Sequence, residues 1–148
     1  MSHMPQLLNE RSAPVKVVLA VAVPTLLGVL TGFMLGVSEL VYVVFALLGL
    51  AGAYVAGLEH DGARAGALRG ILGGSLFGVW ILIAHGLFFD AAPKAHIPDP
   101  AIIHVAITTA FGALFGALGG RRRAKHERLT QELTNVTTMT REPATVTV

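Results

Sequence analysis

Two histidines lie inside long apolar stretches of this 148-residue chain and are its first candidates for chemistry. His85 lies near the end of the third apolar stretch, and His104 lies near the start of the fourth. The loop between them adds Asp90, His96 and Asp99. Imidazole nitrogens bind zinc, copper and nickel. An ionisable group inside a membrane segment is a functional candidate by default.

Helix geometry predicts that the two histidines lie at matching depth. Each stands about one turn inside its stretch, at a rise of 1.5 Å per residue. His85 follows Gly78 by seven residues, which returns it to within about 20° of the same helix face. His104 continues the four-residue spacing of Thr108 and Gly112. We therefore expect both rings to point at other helices and to face each other or a shared water.

Four interpretations of this histidine pair stay open. His85, His104 and a loop Asp or His would form a metal site, or the two rings would hold a haem between their helices. A third interpretation is a pH-sensitive outer gate, because imidazole titrates between about pH 5 and 8. In the fourth, each ring bonds to the other, to a carbonyl or to water. No spacing matches a known metal signature, so we expect no cofactor and keep metal or haem as alternatives.

The motifs of many other activities are missing from the chain. Without cysteine there is no disulfide, thiolate metal site or cysteine nucleophile. The apolar stretches carry no lysine for a Schiff base and no carboxylate near their middle for a proton relay. No phosphate-binding loop, metalloprotease pair or nucleic-acid-reading element is visible. We therefore expect neither an enzyme nor a nucleic-acid-binding protein.

The elements that position these residues are membrane-spanning helices. Hydrophobic residues make up 53% of the chain and charged residues only 14%, against about 25% in soluble domains. Each apolar stretch has about 20 residues, enough for a helix to cross a hydrocarbon layer of ~30 Å. We predict an all-α integral membrane protein with a four-helix bundle at 15–120, after a polar segment at 1–14. The predicted spans are about 17–36, 40–58, 62–89 and 101–119.

Small residues recur at a spacing of four in every span, and this predicts close helix packing. On the third helix the line of glycines turns by about 160° over four such steps, so we expect that helix to be central and to contact two others. The glycines pack either within one chain or between copies. The predicted packing positions are Gly28, Gly32, Gly36, Gly49, Ala53, Gly57, Gly62, Gly66, Gly70, Gly74, Gly78, Gly112, Gly116 and Gly120.

Charge predicts the orientation of the bundle. Cytoplasmic loops are enriched in Lys and Arg, and ten of the 11 such residues fall on the side of the two termini. Lys94 alone falls on the other side, so both termini are predicted to be cytoplasmic. Residues 121–148 are predicted to form a basic juxtamembrane helix and a disordered Thr-rich tail. The helix would bring Arg121, Arg122, Arg123 and Lys125 to anionic lipid headgroups.

These features favour a small multi-pass protein of the plasma membrane. The bias toward Ala, Gly, Val, Leu and Arg is typical of a bacterial protein, and hence of an inner membrane. We expect a homo-oligomer that forms a channel or permeation path. The alternative is a scaffold or accessory subunit of a larger membrane complex. A metal- or haem-binding protein that uses His85 and His104 is the third hypothesis.

The charge asymmetry makes the topology directly testable. Reporter fusions at residues 5 and 145 should both report the cytoplasm, and a fusion at Lys94 should report the outside. The reason is the ten-to-one distribution of basic residues. An external signal at either terminus would contradict the predicted orientation.

Overall fold

A computed structural model describes residues 5–141 of the chain, with side chains for residues 5–137. Its regular elements are all helical, and the described residues contain no strand. Four helices within this part are long and apolar enough to cross a membrane, which confirms the prediction of an all-α chain with four candidate spans. The first span, Ala13–Val37, consists of α1 (Ala13–Val17), a π-helical turn (Val18–Ala22) and α2 (Val23–Val37); the others are α3 (Glu39–Leu58), α4 (Gly62–Phe88) and α5 (Ile102–Arg141).

Two short turns make consecutive spans antiparallel neighbours. Ser38 alone separates α2 from α3, and its extended backbone ends one helix and begins the next without a side-chain cap. Glu39 then places a carboxylate at the positive start of α3. The α3–α4 turn ends at Gly62, whose φ of +85° is a conformation that glycine adopts without strain.

Helices α4 and α5 touch backbone to backbone along most of the bundle. A Cβ built on Gly66, Gly70 or Gly74 of α4 would collide with a carbonyl group of α5. Without side chains between them, the helices gain van der Waals contact that an apolar solvent cannot supply. The contacts are in register, with Gly66 against Gly116, Gly70 against Gly112, and Gly74 against Thr108.

The α4 glycines at a spacing of four, Gly66, Gly70, Gly74 and Gly78, stay on this one partner, whereas the sequence led us to expect two. The reason is that α5 carries the same four-residue spacing, so both contact lines turn around their helices together. A repeat longer than 3.6 residues favours a right-handed twist of two helices about each other. Helix α4 nevertheless contacts α2, α3 and α5 and is the central helix of the described bundle.

Helix α2 packs on a second face of α4 through its own glycines. A Cβ on Gly28 would lie 2.7 Å from the carbonyl oxygen of Phe77, and a Cβ on Gly32 would collide with the backbone of Ile81. Gly36 lies against the ring of Phe89, just beyond the end of α4. Both sides of α4 are thus closed by backbone contacts with neighbouring helices.

Helix α3 is the peripheral helix. Only 6% of its most apolar window is buried, against 22–28% for the other three spans. Gly57 is its one buried residue and lies against the backbone of Gly116. Further along, Gly49 meets the ring of Phe77 instead of a backbone. Helix α3 therefore approaches the bundle closely near Gly57 and is held away from α4 by a side chain at mid-length.

Helix α5 continues well beyond the bundle. It reaches Arg141, whereas we expected the last part of residues 121–148 to be a disordered Thr-rich tail. The hydroxyl groups of Thr130, Thr134 and Thr137 each donate a hydrogen bond to the carbonyl four residues earlier, which is compatible with a Thr-rich helix. Residues 142–148 of the predicted tail lie outside the described residues.

The α4–α5 contact predicts a strong difference between two glycines of α4. Gly70→Leu should destabilise the protein by at least about 2 kcal/mol, because its side chain would be driven into the backbone of Gly112. Gly86→Leu is the matched control, since a Cβ there has no neighbour within 4 Å. Reversible unfolding in mixed micelles measures both variants. Equal stability of the two would contradict this contact.

Candidate functional site

A cavity of about 410 Å³ lies between α3 and the rest of the bundle. Four segments form its wall: the part of the first span from Leu19 to Leu27, most of α3, the part of α4 from Arg69 to Phe77, and the part of α5 from His104 to Gly112. This volume lies in the range of pockets that hold small molecules. Most lining residues are apolar or glycine; the polar ones are Tyr42, Glu59, Arg69, His104 and Thr108.

The α4–α5 loop, residues 89–101, packs in one cluster with Tyr42 and Phe77 of the cavity wall, and we call this end of the cavity the loop end. The amide of Lys94 donates a 2.9 Å hydrogen bond to the carbonyl of Leu35, at the end of α2. Ala95 then inserts beside Leu35 and Ile81, and Ile97 packs against the same buried cluster. The hydrogen bond from Lys94 pairs the carbonyl of Leu35, which the end of α2 would otherwise leave unpaired.

His104 and Tyr42 line the cavity close to the loop end. His104 is only 7% exposed, and its Nε2 atom has no hydrogen-bond partner within the described part of the chain. A buried polar atom without a partner costs on the order of 1–3 kcal/mol in proteins. His104 is therefore a polar group that a bound molecule or water would stabilise.

Arg69 brings a positive charge to the opposite end of the cavity. It lies two turns into α4, about 10 Å along the helix from Gly62. Its guanidinium donates from Nη2 to the carbonyl of Leu19, in the π-helical turn of the first span. Its Nε atom is buried and has no partner among the described residues. Gly73 leaves room for the guanidinium, since a Cβ there would lie 2.9 Å from Nη1.

The π-helical turn explains why Arg69 binds at Leu19. In an α-helix the Leu19 carbonyl would accept from the amide of Val23, but that amide donates to Val18 instead. The next possible donor is Pro24, which has no amide hydrogen. The carbonyl of Leu19 is therefore free to accept from Arg69. Such π-helical turns are frequent at functional sites.

The N-terminal segment crosses the end of the bundle near Arg69. We call this the basic end and define it by the N-terminal segment at 5–12, the α3–α4 turn and the cluster from Arg121 to Lys125. The amide of Leu8 donates to the carbonyl of Glu59 at 3.0 Å, and Arg11 forms a 2.8 Å ion pair with the Glu59 carboxylate. Because Glu59 also lines the cavity, these contacts hold the segment at its edge.

Arg123 ties three parts of the basic end together. Its Nη1 atom donates to the carbonyls of Pro5 and Leu58, and its Nε atom pairs with Glu127. Only 9% of this residue is exposed. The structure thus turns Arg123 inward, away from the lipid headgroups that we expected it to bind. Its predicted companions Arg121, Arg122 and Lys125 are exposed.

The structure gives the two histidines different surroundings. The ring of His85 stacks on Phe89, with centroids 5.6 Å apart, whereas His104 lines the cavity. No hydrogen bond between the two rings occurs among the described residues, and the Nδ1 atom of His85 has no partner there. Asp90, His96 and Asp99 are exposed in the loop. Within residues 5–137, no three His, Asp or Glu side chains come together as a metal site.

Sequence reasoning missed the residues that give the cavity its charge. In the sequence Arg69 counts only as one of the basic residues on the side of the two termini. The predicted third span, 62–89, includes Arg69, and α4 does begin at Gly62, but the sequence does not show that Arg69 lies on a cavity wall. The available signal was Pro24, which leaves a carbonyl without its amide partner. Using this signal required knowing that α4 packs beside the first span.

Comparisons with known proteins add no functional assignment to this cavity. No protein-family model, curated protein or solved structure matches the chain. The volume, lining and charges of the cavity therefore carry the functional interpretation.

The contacts of Arg123 predict that it secures the N-terminal segment. Arg123→Gln should remove about 1–3 kcal/mol of local stability, because carbonyls of Pro5 and Leu58 lose a charged donor. Hydrogen exchange at the Leu8 amide, which binds Glu59, should accelerate accordingly. Arg122→Gln, at the exposed neighbour, should leave that exchange unchanged. Unaltered exchange in Arg123→Gln would rule out this role.

Proposed function

We propose that this protein holds an apolar or amphiphilic molecule inside the membrane, in the cavity between α3 and α4. One observation carries the proposal: an apolar space of about 410 Å³ has unpartnered polar atoms at both ends, on Arg69 and His104. Apolar pockets with a few convergent polar groups are typical binding sites. The function is binding or carriage, without a chemical reaction.

The packing of the helices supports a cavity with one rigid wall, formed by α4 and α5, and one movable wall, formed by α3. The backbone contacts between α4 and α5 leave little freedom, because large side chains are absent from that interface. Helix α3 has few buried residues, and such elements open at low free energy. In this proposal the ligand enters from the lipid when α3 moves away from Phe77.

The proposed orientation places the basic end in the cytoplasm and the loop end outside, in a bacterial inner membrane. Support comes from the distribution of Lys and Arg over the two sides of the bundle. The exposed Arg121, Arg122 and Lys125 would bind anionic headgroups of the cytoplasmic leaflet. The N-terminal segment and α5 would then lie on the cytoplasmic side of the cavity.

A permeation path is the second candidate function. It is favoured because the polar groups Arg69 and His104 lie near opposite ends of one cavity. From the α4–α5 register, His104 is level with Gly78, so the two groups are about 14 Å apart along the helix axis. An amphiphile would cross only after the α4–α5 loop moved away from the loop end and the N-terminal segment moved away from the basic end. A metal- or haem-binding function has no comparable support.

The contacts of the glycines within one chain are relevant to whether several copies assemble. Glycines on all four spans meet other helices of the same chain, while a Cβ at Gly52 or Gly86 would have open space. Fewer small residues are therefore left for contacts between copies. A function within one chain, alone or as an accessory subunit, requires no oligomer.

Two alanines on α3 that are two residues apart test the proposed binding site. Ala53 lines the cavity, so Ala53→Phe should fill it and weaken binding of 16-carbon amphiphiles at least about tenfold, by steric exclusion. Ala51→Phe should leave binding unchanged, because Ala51 is exposed and does not line the cavity. Native mass spectrometry can count hexadecanol and palmitate bound to each purified full-length variant. If Ala53→Phe binds both as the unmodified protein does, the cavity is not the binding site.

A further inference from the structure

Arg69 is a cation that forms no ion pair among the described residues, in a mostly apolar site. Within the described residues the ion pairs are Arg11–Glu59 and Arg123–Glu127, and neither includes Arg69. A guanidinium has five N–H donors, and among the described residues the acceptor for this one is the carbonyl of Leu19. A cation in an apolar environment is costly unless it is paired. The site therefore favours an occupant that brings its own negative charge.

The charged residues next to Arg69 do not neutralise it, so the site still favours an anion. Glu59 is the nearby carboxylate, but it already binds Arg11 at 2.8 Å. Two arginines and one glutamate give this edge of the cavity a net charge of +1. A cationic headgroup would be repelled there, and a neutral one would leave the charge of Arg69 unpaired.

The guanidinium is also held in place before any ligand arrives. Its bond to the Leu19 carbonyl and the small Gly73 beside it define where it lies on the wall. A planar guanidinium binds carboxylate or phosphate oxygens through two parallel hydrogen bonds. Because the donor is positioned in advance, less conformational freedom is lost when the anion binds.

The apolar part of the ligand would lie on the surface that continues from Arg69. Gly70, Gly73, Gly74 and then Phe77 line the cavity along α4, and α3 lies opposite. A Cβ at Gly70 or Gly74 would point at the backbone of α5, so Gly73 is the glycine that leaves space next to Arg69, and the apolar lining continues from there toward the loop end. Its length of about 14 Å to the level of His104 suits a flexible chain better than a compact ring system.

We propose that the ligand is a single-chain anionic amphiphile, a long-chain carboxylate or phosphate monoester, with its headgroup on Arg69 and its chain directed toward the loop end. This identification rests on the proposed function of the cavity. Both anions share this headgroup chemistry. We propose a single chain because the cavity measures only about 410 Å³. Arg69 thus selects the anion, and the apolar lining of the cavity accepts the chain.

The test compares four probes that share a 16-carbon chain: palmitate, hexadecyl phosphate, hexadecanol and hexadecylamine. The full-length protein in detergent is titrated with each probe and the complexes are counted by native mass spectrometry. We expect the two anions to bind about 10- to 100-fold more tightly than the alcohol, as a charge-assisted hydrogen-bond pair would give. The amine should bind no better than the alcohol. Equal affinity of all four probes would overturn the proposed selectivity.

Arg69→Gln is the decisive variant, because it removes the charge while keeping a polar, uncharged side chain. It should lower anion affinity about 10- to 100-fold and leave hexadecanol binding within about twofold, which also shows that the variant is folded. Arg64→Gln, at an exposed position on the same helix, should change neither. Arg69→Lys keeps the charge and should retain part of the anion preference.

Two failures are distinguishable in this design. If probes bind and Ala53→Phe excludes them, but Arg69→Gln lowers all affinities equally or none, the anion assignment is wrong and the cavity still binds. If no probe is excluded by Ala53→Phe, the proposed function itself fails. A preference for palmitate alone, or for hexadecyl phosphate alone, that is lost in Arg69→Gln supports the proposal and identifies the source of the anion.

Discussion

Direct backbone contact between α4 and α5 is the constraint on which the rest of the bundle depends. Glycines opposite one another bring carbonyl groups of one helix against the Cα atoms of the other, as at Gly70 and Gly112. In lipid this close approach replaces the hydrophobic drive that packs soluble helices. Helix α4 packs against α5 on one face and against α2 on another. Helix α3 then has close backbone contact only near Gly57, and Phe77 separates it from α4, which leaves the cavity.

The position of the positive charge in this cavity depends on an irregular turn in the first span. Pro24 cannot donate an amide hydrogen, the helix widens into a π-helical turn, and the Leu19 carbonyl accepts from Arg69. Packing of α2 on α4 brings the two helices close enough for this bond. A backbone irregularity, a side chain on a second helix and the glycines that join the helices are thus parts of one arrangement. The function proposed for Arg69 depends on all three.

The sequence predicts the architecture better than the site. Apolar stretches of membrane length reveal four spans, because lipid requires helices with satisfied backbones. The predicted third span, 62–89, begins where α4 begins, at Gly62, but nothing in the sequence places Arg69 beside the carbonyl of Leu19. The burial of Arg123 depends on contacts with Pro5 and Leu58, which are distant in the chain. Pairwise positions of this kind are set by helix packing, which local periodicity does not encode.

The most direct measurement is photo-crosslinking with two palmitate derivatives, one with a diazirine next to the carboxylate and one with a diazirine near the chain terminus. Peptide mapping of the adducts on the full-length protein locates both ends of the ligand. The structure predicts headgroup adducts on the segments around Leu19 and Arg69, and chain adducts around Tyr42 and His104. Adducts on outward-facing residues such as Leu40 and Leu87, or the reverse order of the two ends, would contradict binding in this cavity.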